Sequence, residues 1–337
     1  PPSTTIVREW ELKAIREEET TLSEKLRKAL KEAGLSDDII DAGLDFWVLL
    51  KNIEARKRVS ANITYCGEGK DNGFYHIKLS RNSQKAFREQ WATYVLSRHF
   101  DFVPRTQMSC PLRVGYHFLT SQHDVGQNEV KDVHYWMRTL ATFHRRAEDI
   151  LYEEDPGFIL PNLFENLNLL VDKYAEKCGR LGLEWFDKEL FSYALNYLAH
   201  SPLQKCIHHD VKKDNRVGKY LVDLENICIG HVGIDLSLVL LQENISRDEW
   251  DCFLKDYAHT YLGADNVSDH YPSLSTMEDY LAELHASTRW GAVYSATREV
   301  AGIAQRMQEM PQSSERNKME EELDTLLGFL KSGAYHA

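Results

Sequence analysis

The stretch "KCIHHDVKKDN", residues 205–215, decides how this chain is interpreted. Asp210 follows His208 by two positions, and Asn215 comes five positions after Asp210. Asp223 then ends the strand-like run "KYLVD". The order H-x-D-x-x-x-x-N, followed by an aspartate at a strand end, is far more specific than any one of these residues alone.

These residue types fit the requirements of phosphoryl transfer. The protein must orient the attacking hydroxyl, hold magnesium on the triphosphate and neutralise the developing charge. An aspartate that accepts the hydroxyl proton, with an asparagine and a second aspartate as hard oxygen ligands of Mg²⁺, supplies those parts.

Two other interpretations of the stretch are open. Histidine and carboxylate are ligands of zinc or iron, but adjacent side chains of an extended segment point to opposite faces. No H-x-x-x-H partner is present either. Aspartate and asparagine are also common turn residues. The joint pattern through Asp223 and Asp235 favours phosphoryl transfer over both alternatives.

The composition is typical of a globular protein with one large or two medium domains, at 337 residues, 43% hydrophobic and 27% charged. The formal charge of −12 argues against nucleic-acid binding and fits a cationic small substrate. No apolar run approaches the ~20 residues that span a bilayer, and the first residues show no signal-peptide pattern. Six scattered cysteines without a CxxC pair favour reduced thiols, so we expect a cytoplasmic protein without a membrane partner.

The chain changes character twice. Residues 1–45 are charged and leucine-rich, and "TLSEKLRKALKEAG" predicts an amphipathic helix that ends at Gly34. Residues 46–122 carry short β-branched and aromatic runs, with "FYHIKLS" alternating like a strand and a helix after it. Residues 123–337 are mainly helical, with short strand-like pieces around 205–240. A helical N-terminal extension, a small β domain and a large helical domain are predicted.

The segment "HHDVKKDN…YLVDLENICIGHVGIDLS" resembles the catalytic segment of the aminoglycoside phosphotransferase and choline kinase-like families, which are small-molecule relatives of the protein kinases. "GHVGIDLS" is also similar to fructosamine kinases. The resemblance covers residues 46–330 and is strongest at 207–240. It implies an α+β, two-lobe protein-kinase-like fold, with a small antiparallel β lobe carrying one helix and a larger, mainly helical lobe.

The resemblance also implies roles for residues of the decisive stretch. Asp210 would be the catalytic base, and Asn215 and Asp223 would be the ligands of Mg²⁺. His208 and Asp235 would give structural support to the loop rather than touch the substrate.

In the small lobe, the resemblance assigns nucleotide contacts. Lys78 would bind the α- and β-phosphates from its place in the strand "FYHIKLS", and Glu89 on the next helix would pair with it. The backbone of Leu119, Thr120 and Ser121 would contact the adenine. No glycine-rich loop lies in the usual place before Lys78, because "NIEARKRVSANI" contains no glycine, and this departs from the usual pattern of the family.

The implied activity is transfer of the γ-phosphoryl group of ATP or GTP, with Mg²⁺, to a hydroxyl of a small molecule such as a cationic amine or an aminoglycoside-like sugar. Glu243, Asp248 and Asp251 in "QENISRDEWD" are candidate contacts for a cationic acceptor. Because the glycine-rich loop is missing, the alternative is a nucleotide-binding pseudokinase or regulatory interaction module. The extension at 1–45 would mediate self-association or bind a protein partner.

Overall fold

The computed structural model describes residues 50–56, 63–69, 74–80, 83–111, 117–123, 130–309 and 314–333, with Lys31 and Asp37. Contacts divide the chain into two units. The first contains Pro1–Asn128 and Gly218–Glu225, and the second contains Glu129–Val217 and Asn226–Ala337. The predicted N-terminal extension, apart from Lys31 and Asp37, lies outside the described residues. Its boundary at residue 45 and the boundary at 122 stay predictions.

The first unit is built on a five-stranded antiparallel sheet with the strand order β1-β2-β3-β5-β4. The strands are β1 (Leu50–Arg56), β2 (Ile63–Gly69), β3 (Phe74–Ser80), β4 (Arg105–Pro111) and β5 (His117–His123). In the central strand β3, Lys78 lies opposite Thr64 of β2 and Leu119 of β5. Strand neighbours on both sides therefore fix the backbone of Lys78.

One helix, α1 (Ser83–Leu96), follows the central strand. Ala92, Val95 and Leu96 are buried at spacings of three and four residues, which is the pattern of a helix with one face in a core. After the helix, the backbone N–H of Leu221 donates to the carbonyl of Phe102 at 2.7 Å. This bond connects the segment Gly218–Glu225 to the rest of the first unit, which we call the sheet unit, although the segment is distant in sequence. We call the second unit the helical unit.

The second unit is mainly helical. Its helices are α2 (Val133–Glu154), α3 (Leu167–Arg180), α4 (Lys188–His200), α5 (Val232–Gln242), α6 (Trp250–Leu262), α7 (Val267–His270), α8 (Met277–Glu309) and α9 (Ser314–Ser332). Strands β6 (Gln204–Ile207) and β9 (Cys228–His231) form an antiparallel pair, while β7 (Arg216–Val217) and β8 (Tyr220–Leu221) are short. Among the described helices, none combines the length and the hydropathy that crossing a bilayer requires.

Helix α2 shows how the sequence selects an element and places a polar group in the core. Its N-cap, Asp132, accepts a hydrogen bond from the backbone N–H of His134 at 2.9 Å. Trp136, Leu140 and His144 follow at spacings of four residues and are buried. The amphipathic pattern therefore carries the imidazole of His144 into the interior of the helical unit.

Helix α5 differs because it is buried almost all round. Nine consecutive residues, Val232 to Leu240, are buried. Its N-cap is His231, whose Nδ1 accepts from the backbone N–H of Gly233 at 2.9 Å. A short apolar helix of this kind has no amphipathic period, so the sequence pattern around "GHVGIDLS" did not predict it.

The backbones of α5 and α8 touch where glycines meet. A Cβ atom on Gly291 would overlap the carbonyl of Gly233, and one on Gly233 would lie 2.5 Å from the carbonyl oxygen of Ser287. Beside this contact, the hydroxyl of Ser295 donates to the carbonyl oxygen of Ile234 at 3.1 Å. Glycine is therefore required at both positions for the two helices to approach this closely.

We expect Gly291→Ala to lower the free energy of unfolding by about 1–3 kcal/mol, because the added methyl group meets backbone that cannot move aside cheaply. Urea denaturation followed by circular dichroism measures the change. The matched control is Gly302→Ala in the same helix, where a Cβ would meet nothing within 4 Å. That variant should gain about 0.5–1 kcal/mol from the better helix former. Equal changes in both variants would show that the helix contact is not tight.

Candidate functional site

Three carboxylates of the first unit surround the ammonium group of Lys78. Its Nζ lies 2.8 Å from Glu89 Oε2, 2.6 Å from Asp223 Oδ1 and 2.6 Å from Glu225 Oε2. One oxygen of each carboxylate lies within 4.8 Å of the others. We call these four residues the lysine cluster. The structure thus forms the ion pair between Lys78 and Glu89 that the sequence suggested and adds two further acidic partners.

The surroundings hold Glu225 and Asp223 in place. From α1, the Nζ of Lys85 lies 3.1 Å from Glu225 Oε1, and Arg88 Nη1 donates to the Glu225 carbonyl at 3.3 Å. Asp223 has a φ of 68°, in the left-handed region that residues other than glycine seldom adopt. Such a conformation persists only where the surroundings over-determine it, and it is commonest at functional sites.

The charges of the lysine cluster shape its protonation. Burial works to lower the pKa of Lys78, but the carboxylates of Glu89, Asp223 and Glu225 outweigh it and raise the pKa. Burial raises the pKa of Glu89 to about 7, although Lys78 acts in the opposite direction. For Glu225, burial is outweighed by Lys78 and Lys85, so the pKa is lowered. The ammonium is therefore firmly charged, and Glu89 takes up a proton more readily than Glu225.

In the second unit, the buried carboxylate of Asp235 binds the backbone of the loop that contains His208, His209 and Asp210. It accepts hydrogen bonds from the N–H groups of His208 and His209, both at 2.8 Å, and contacts His144 Nε2 at 3.1 Å. Since a carboxylate only accepts, His144 donates through Nε2, and its Nδ1 lies 3.0 Å from the Tyr257 hydroxyl. Burial alone would raise the pKa of Asp235, but the bonds from His144 and His208 outweigh it and lower the pKa.

His209 is held in a left-handed conformation, with a φ of 67°. Its N–H donates to Asp235, and its Nε2 lies 2.8 Å from the hydroxyl of Tyr294. Its carbonyl oxygen accepts a hydrogen bond from Nη1 of Arg298. Burial, and next the charge of Arg298, lower the pKa of His209 to about 3, so the imidazole is neutral. The backbone bend at His209 is therefore fixed, and it sets the direction of the Asp210 side chain.

That next side chain, Asp210, has both carboxylate oxygens engaged. Oδ1 lies 2.8 Å from Nη2 of Arg298, while Oδ2 lies 3.0 Å from Asn215 Nδ2 and 3.3 Å from Lys212 Nζ. Asn215 Nδ2 also donates to the Asp210 carbonyl at 2.8 Å, and the Asp210 N–H donates to His208 Nδ1 at 3.2 Å. Burial alone would raise the pKa of Asp210, but Arg298 and Lys212 outweigh it and hold the pKa below its usual range. The carboxylate is ionised and oriented.

We call His208, His209, Asp210, Asn215 and Arg298 the loop site. The loop brings together Asp210, Asn215 and His208 as the sequence suggested. Among the described residues, the three carboxylates of the lysine cluster are the group whose oxygens lie close enough to share a cation. The histidines of the loop form no group of that kind within the described residues.

Solved structures resemble the chain over most of its length. An amicoumacin kinase in complex with AMP-PNP, Ca²⁺ and Ami has a TM-score of 0.56 at 14% identity, covering 90% of this chain and 96% of its own. An ethanolamine kinase from Plasmodium vivax has a TM-score of 0.56 at 14% identity, covering 94% and 98%. The GDP complex of aminoglycoside 2′-phosphotransferase-IIIa has a TM-score of 0.51 at 12% identity, covering 88% and 97%.

The chain shares the fold of these two kinases and of the aminoglycoside phosphotransferase. The resemblance recognised in the sequence is thereby confirmed at the level of the fold. No model of a protein family matches the sequence, and no curated protein matches it.

In this kinase-like fold, the strand predicted to contact adenine is β5. Leu119, Thr120 and Ser121 are paired on one side with β3 and on the other with β4. Strand pairing on both sides uses the backbone donors and acceptors of an antiparallel strand. In the described sheet these three residues lie in a strand that is paired on both sides, and their contact with adenine stays a prediction.

The three acidic residues predicted to contact a cationic acceptor have different surroundings. Glu243 lies at the end of α5, with Oε1 2.7 Å from Arg216 Nη2 and Oε2 3.3 Å from Lys213 Nζ. Asp251 pairs with Lys255 at 2.5 Å and with His285 at 3.2 Å, while Asp248 is exposed. Lys213 and Arg216 thus balance the charge of Glu243. A contact of any of the three acidic residues with an acceptor stays a prediction.

The sequence interpretation missed two charged residues. Glu225 stands two positions after Asp223, so the segment "DLE" carried a signal for a second carboxylate. Arg298 lies 88 residues after Asp210, on helix α8, and no local pattern connects the two. Its place at the loop site follows only from the packing of α8.

The similar structures include complexes with a nucleotide and with Ca²⁺, and the oxygen donors of this chain fit a divalent cation. In the lysine cluster, three carboxylates face one ammonium, and carboxylate oxygens are the ligands that Mg²⁺ prefers. At the loop site, Asn215 uses its amide nitrogen on Asp210, which leaves its amide oxygen for a cation. Both predicted ligands, Asn215 and Asp223, thus offer oxygen atoms of the right kind.

We expect Asp235→Asn to lower the free energy of unfolding by about 3 kcal/mol, because an amide turns an NH₂ group toward backbone N–H donors and loses charged hydrogen bonds. The lowered pKa means that the contribution of Asp235 is complete above its ordinary pKa of ~3.9 and is lost as the pH falls through the folded-state value. The deficit should shrink in acid.

Urea denaturation at several pH values measures this difference. The matched control is Asp172→Asn, because Asp172 pairs with Lys188 on the surface at 2.8 Å with 65% of its side chain exposed. Such exposed pairs contribute at most about 1 kcal/mol. If Asp235→Asn is no more destabilising than this control, the carboxylate does not hold the loop.

Proposed function

We propose that this protein is a small-molecule kinase that transfers the γ-phosphoryl group of ATP or GTP to a hydroxyl group. The observation that carries the proposal is the loop site, where an ionised Asp210 is hydrogen-bonded to Asn215 in a chain with a phosphotransferase fold. The similar structures support a nucleotide substrate, since one is a complex with AMP-PNP and Ca²⁺ and another is a complex with GDP.

The same proposal assigns functions to the two units. The sheet unit would be the small, nucleotide-binding lobe of a two-lobe kinase, and the helical unit would be the large lobe that binds the acceptor. We propose a cytoplasmic location for it. The segment Gly218–Glu225 belongs to the sheet unit and carries Asp223, so the sheet unit would contribute a metal ligand as well as Lys78.

Asp210 would act on the acceptor. Its carboxylate accepts a hydrogen bond from the acceptor hydroxyl and points the oxygen at the γ-phosphorus. The hydroxyl oxygen then forms a bond to this phosphorus while the bond from phosphorus to the β,γ-bridging oxygen breaks. The nucleoside diphosphate leaves with the electron pair of that bond, and the hydroxyl proton passes to Asp210 and on to water. Most of the acceleration would come from positioning, because the transition state makes few covalent demands on the protein.

Asn215 and Asp223 would hold Mg²⁺, which neutralises charge on the triphosphate when it is bound. Lys78 would bind the phosphates that are not transferred. Its raised pKa keeps it charged, and Glu89 on α1 fixes its position at 2.8 Å. Glu225 would balance the charge of Lys78 and of Lys85.

The acceptor is proposed to be a hydroxylated amine or an amino sugar. The similar structures include enzymes named for ethanolamine, amicoumacin and aminoglycosides. The formal charge of −12 favours a cationic molecule over an anionic one. Asp248 and Asp251, which are exposed, and Glu243 remain the candidate contacts for its amino groups.

We expect Asp210→Asn to leave nucleotide binding intact and to reduce turnover by about 10²-fold or more, which is the contribution of a positioned general base. Phosphoryl transfer from ATP and GTP to a panel of hydroxylated amines and sugars measures this turnover. Asp214→Asn is the matched control, because Asp214 is an exposed aspartate of the same loop. Full activity of Asp210→Asn would contradict the assignment of the base.

We expect Asp223→Ala to weaken Mg²⁺-dependent nucleotide binding. In a thermal-shift assay, a nucleotide at 100 times its Kd stabilises the protein by ~2.7 kcal/mol. The variant should lose most of this stabilisation, whereas Asp101→Ala, at an exposed position of the sheet unit, should keep it. An unchanged Mg²⁺-nucleotide titration would count against the ligand role.

The two assays together also separate the enzyme from the alternative. A pseudokinase or regulatory module would be stabilised by the nucleotide yet would transfer no phosphoryl group to any acceptor. A protein that shows neither stabilisation nor transfer would contradict both proposals.

A further inference from the structure

We propose that Arg298 of helix α8 is a positioning residue that sets the orientation of Asp210 toward the acceptor, an inference that rests on the proposed function. Nothing in the sequence pattern of the loop points to this arginine. It is brought there by the close packing of α5 and α8.

The guanidinium group of Arg298 bridges two consecutive residues of the loop. Nη1 donates to the carbonyl oxygen of His209, and Nη2 lies 2.8 Å from Oδ1 of Asp210. The side chain of Arg298 is 19% exposed and that of Asp210 is 5% exposed, so little water competes for either contact. One planar group therefore couples the backbone direction at His209 to the side-chain direction at Asp210.

These contacts distinguish the two oxygens of the Asp210 carboxylate. Oδ1 is taken by Arg298, and Asn215 holds Oδ2 at 3.0 Å. The remaining contact of Oδ2, to Lys212 at 3.3 Å, is the longest and comes from a side chain that is 22% exposed. Oδ2 is accordingly the oxygen that meets the acceptor hydroxyl, and the acceptor replaces Lys212 rather than Arg298.

The conformation of His209 explains why a guanidinium is suited to this place. The left-handed bend at His209 is fixed at its N–H by Asp235 and at its ring by Tyr294, one helical turn before Arg298 on α8. Arg298 secures the remaining backbone group, the carbonyl. The ammonium group of a lysine is a compact point charge and lacks the planar arrangement of N–H donors in a guanidinium. It therefore cannot bind the His209 carbonyl and the Asp210 carboxylate with the same geometry.

The test compares Arg298→Lys and Arg298→Met with the wild type in the phosphoryl-transfer assay. Because a misplacement of about 1 Å can cost 10²-fold, kcat should fall by about 10²-fold in Arg298→Met and by less in Arg298→Lys. The Kd of the Mg²⁺-nucleotide complex should change by less than about 3-fold, because the guanidinium acts on the base and not on the nucleotide.

Arg145→Met is the matched control. Arg145 also donates to two backbone carbonyls, of Tyr261 and Leu262, and to one carboxylate, of Asp265, within the helical unit. It makes the same kinds of contact without touching the loop site, so its loss should leave kcat unchanged. A general effect of removing a structural arginine would appear in both variants.

Chemical rescue is a further test, because added guanidinium should not restore kcat if Arg298 only stabilises the fold. Millimolar guanidinium chloride should restore part of the kcat of Arg298→Ala and should leave Arg298→Lys unaffected, since the space for the guanidinium exists only in the former. If Arg298→Met or Arg298→Ala does not fold, the fall of kcat at constant nucleotide Kd in Arg298→Lys decides the question.

Two outcomes would overturn the inference. One is a kcat equal to that of the wild type in folded Arg298→Lys and Arg298→Met. The other is a parallel loss of kcat and nucleotide affinity, which would make Arg298 a support of the fold alone. A wild-type protein that transfers no phosphoryl group would instead overturn the proposed function, so the two failures are distinguishable.

Discussion

The geometry of the loop site depends on one interaction, the buried carboxylate of Asp235 bonded to the N–H groups of two consecutive residues. An isolated buried charge is costly, and it is tolerated here because His144 supplies a third donor. The two N–H bonds hold the left-handed bend at His209, and this bend directs Asp210. Polar groups deep in the helical unit thus determine where the carboxylate of Asp210 points.

In the sheet unit the buried charge is positive, because the ammonium group of Lys78 is largely removed from water. Three carboxylates share the charge of Lys78, and one of them, Glu89, has a pKa raised to about 7 by burial. Such an arrangement has an excess of acid over base, which suits a cation more than a phosphate group.

Local patterns in the sequence were sufficient for much of the fold. The alternation in "FYHIKLS" predicted the strand Phe74–Ser80, and the patterns of residues 123–337 predicted a mainly helical domain. The loop motif gathered Asp210 and Asn215 because they are close in sequence. Helix α5 was missed since it is apolar all round, and Arg298 was missed since only tertiary packing brings it to Asp210.

The glycine contact between α5 and α8 has a consequence for how the molecule tolerates change. Asp235 lies on α5 and Arg298 on α8. The spacing of these two helices therefore sets the distance between the two side chains that are hydrogen-bonded to the loop. With backbone against backbone at Gly233 and Gly291, there is no flexible side chain to absorb a displacement. A bulkier residue at this contact would therefore move Asp235 and Arg298 apart together with their helices.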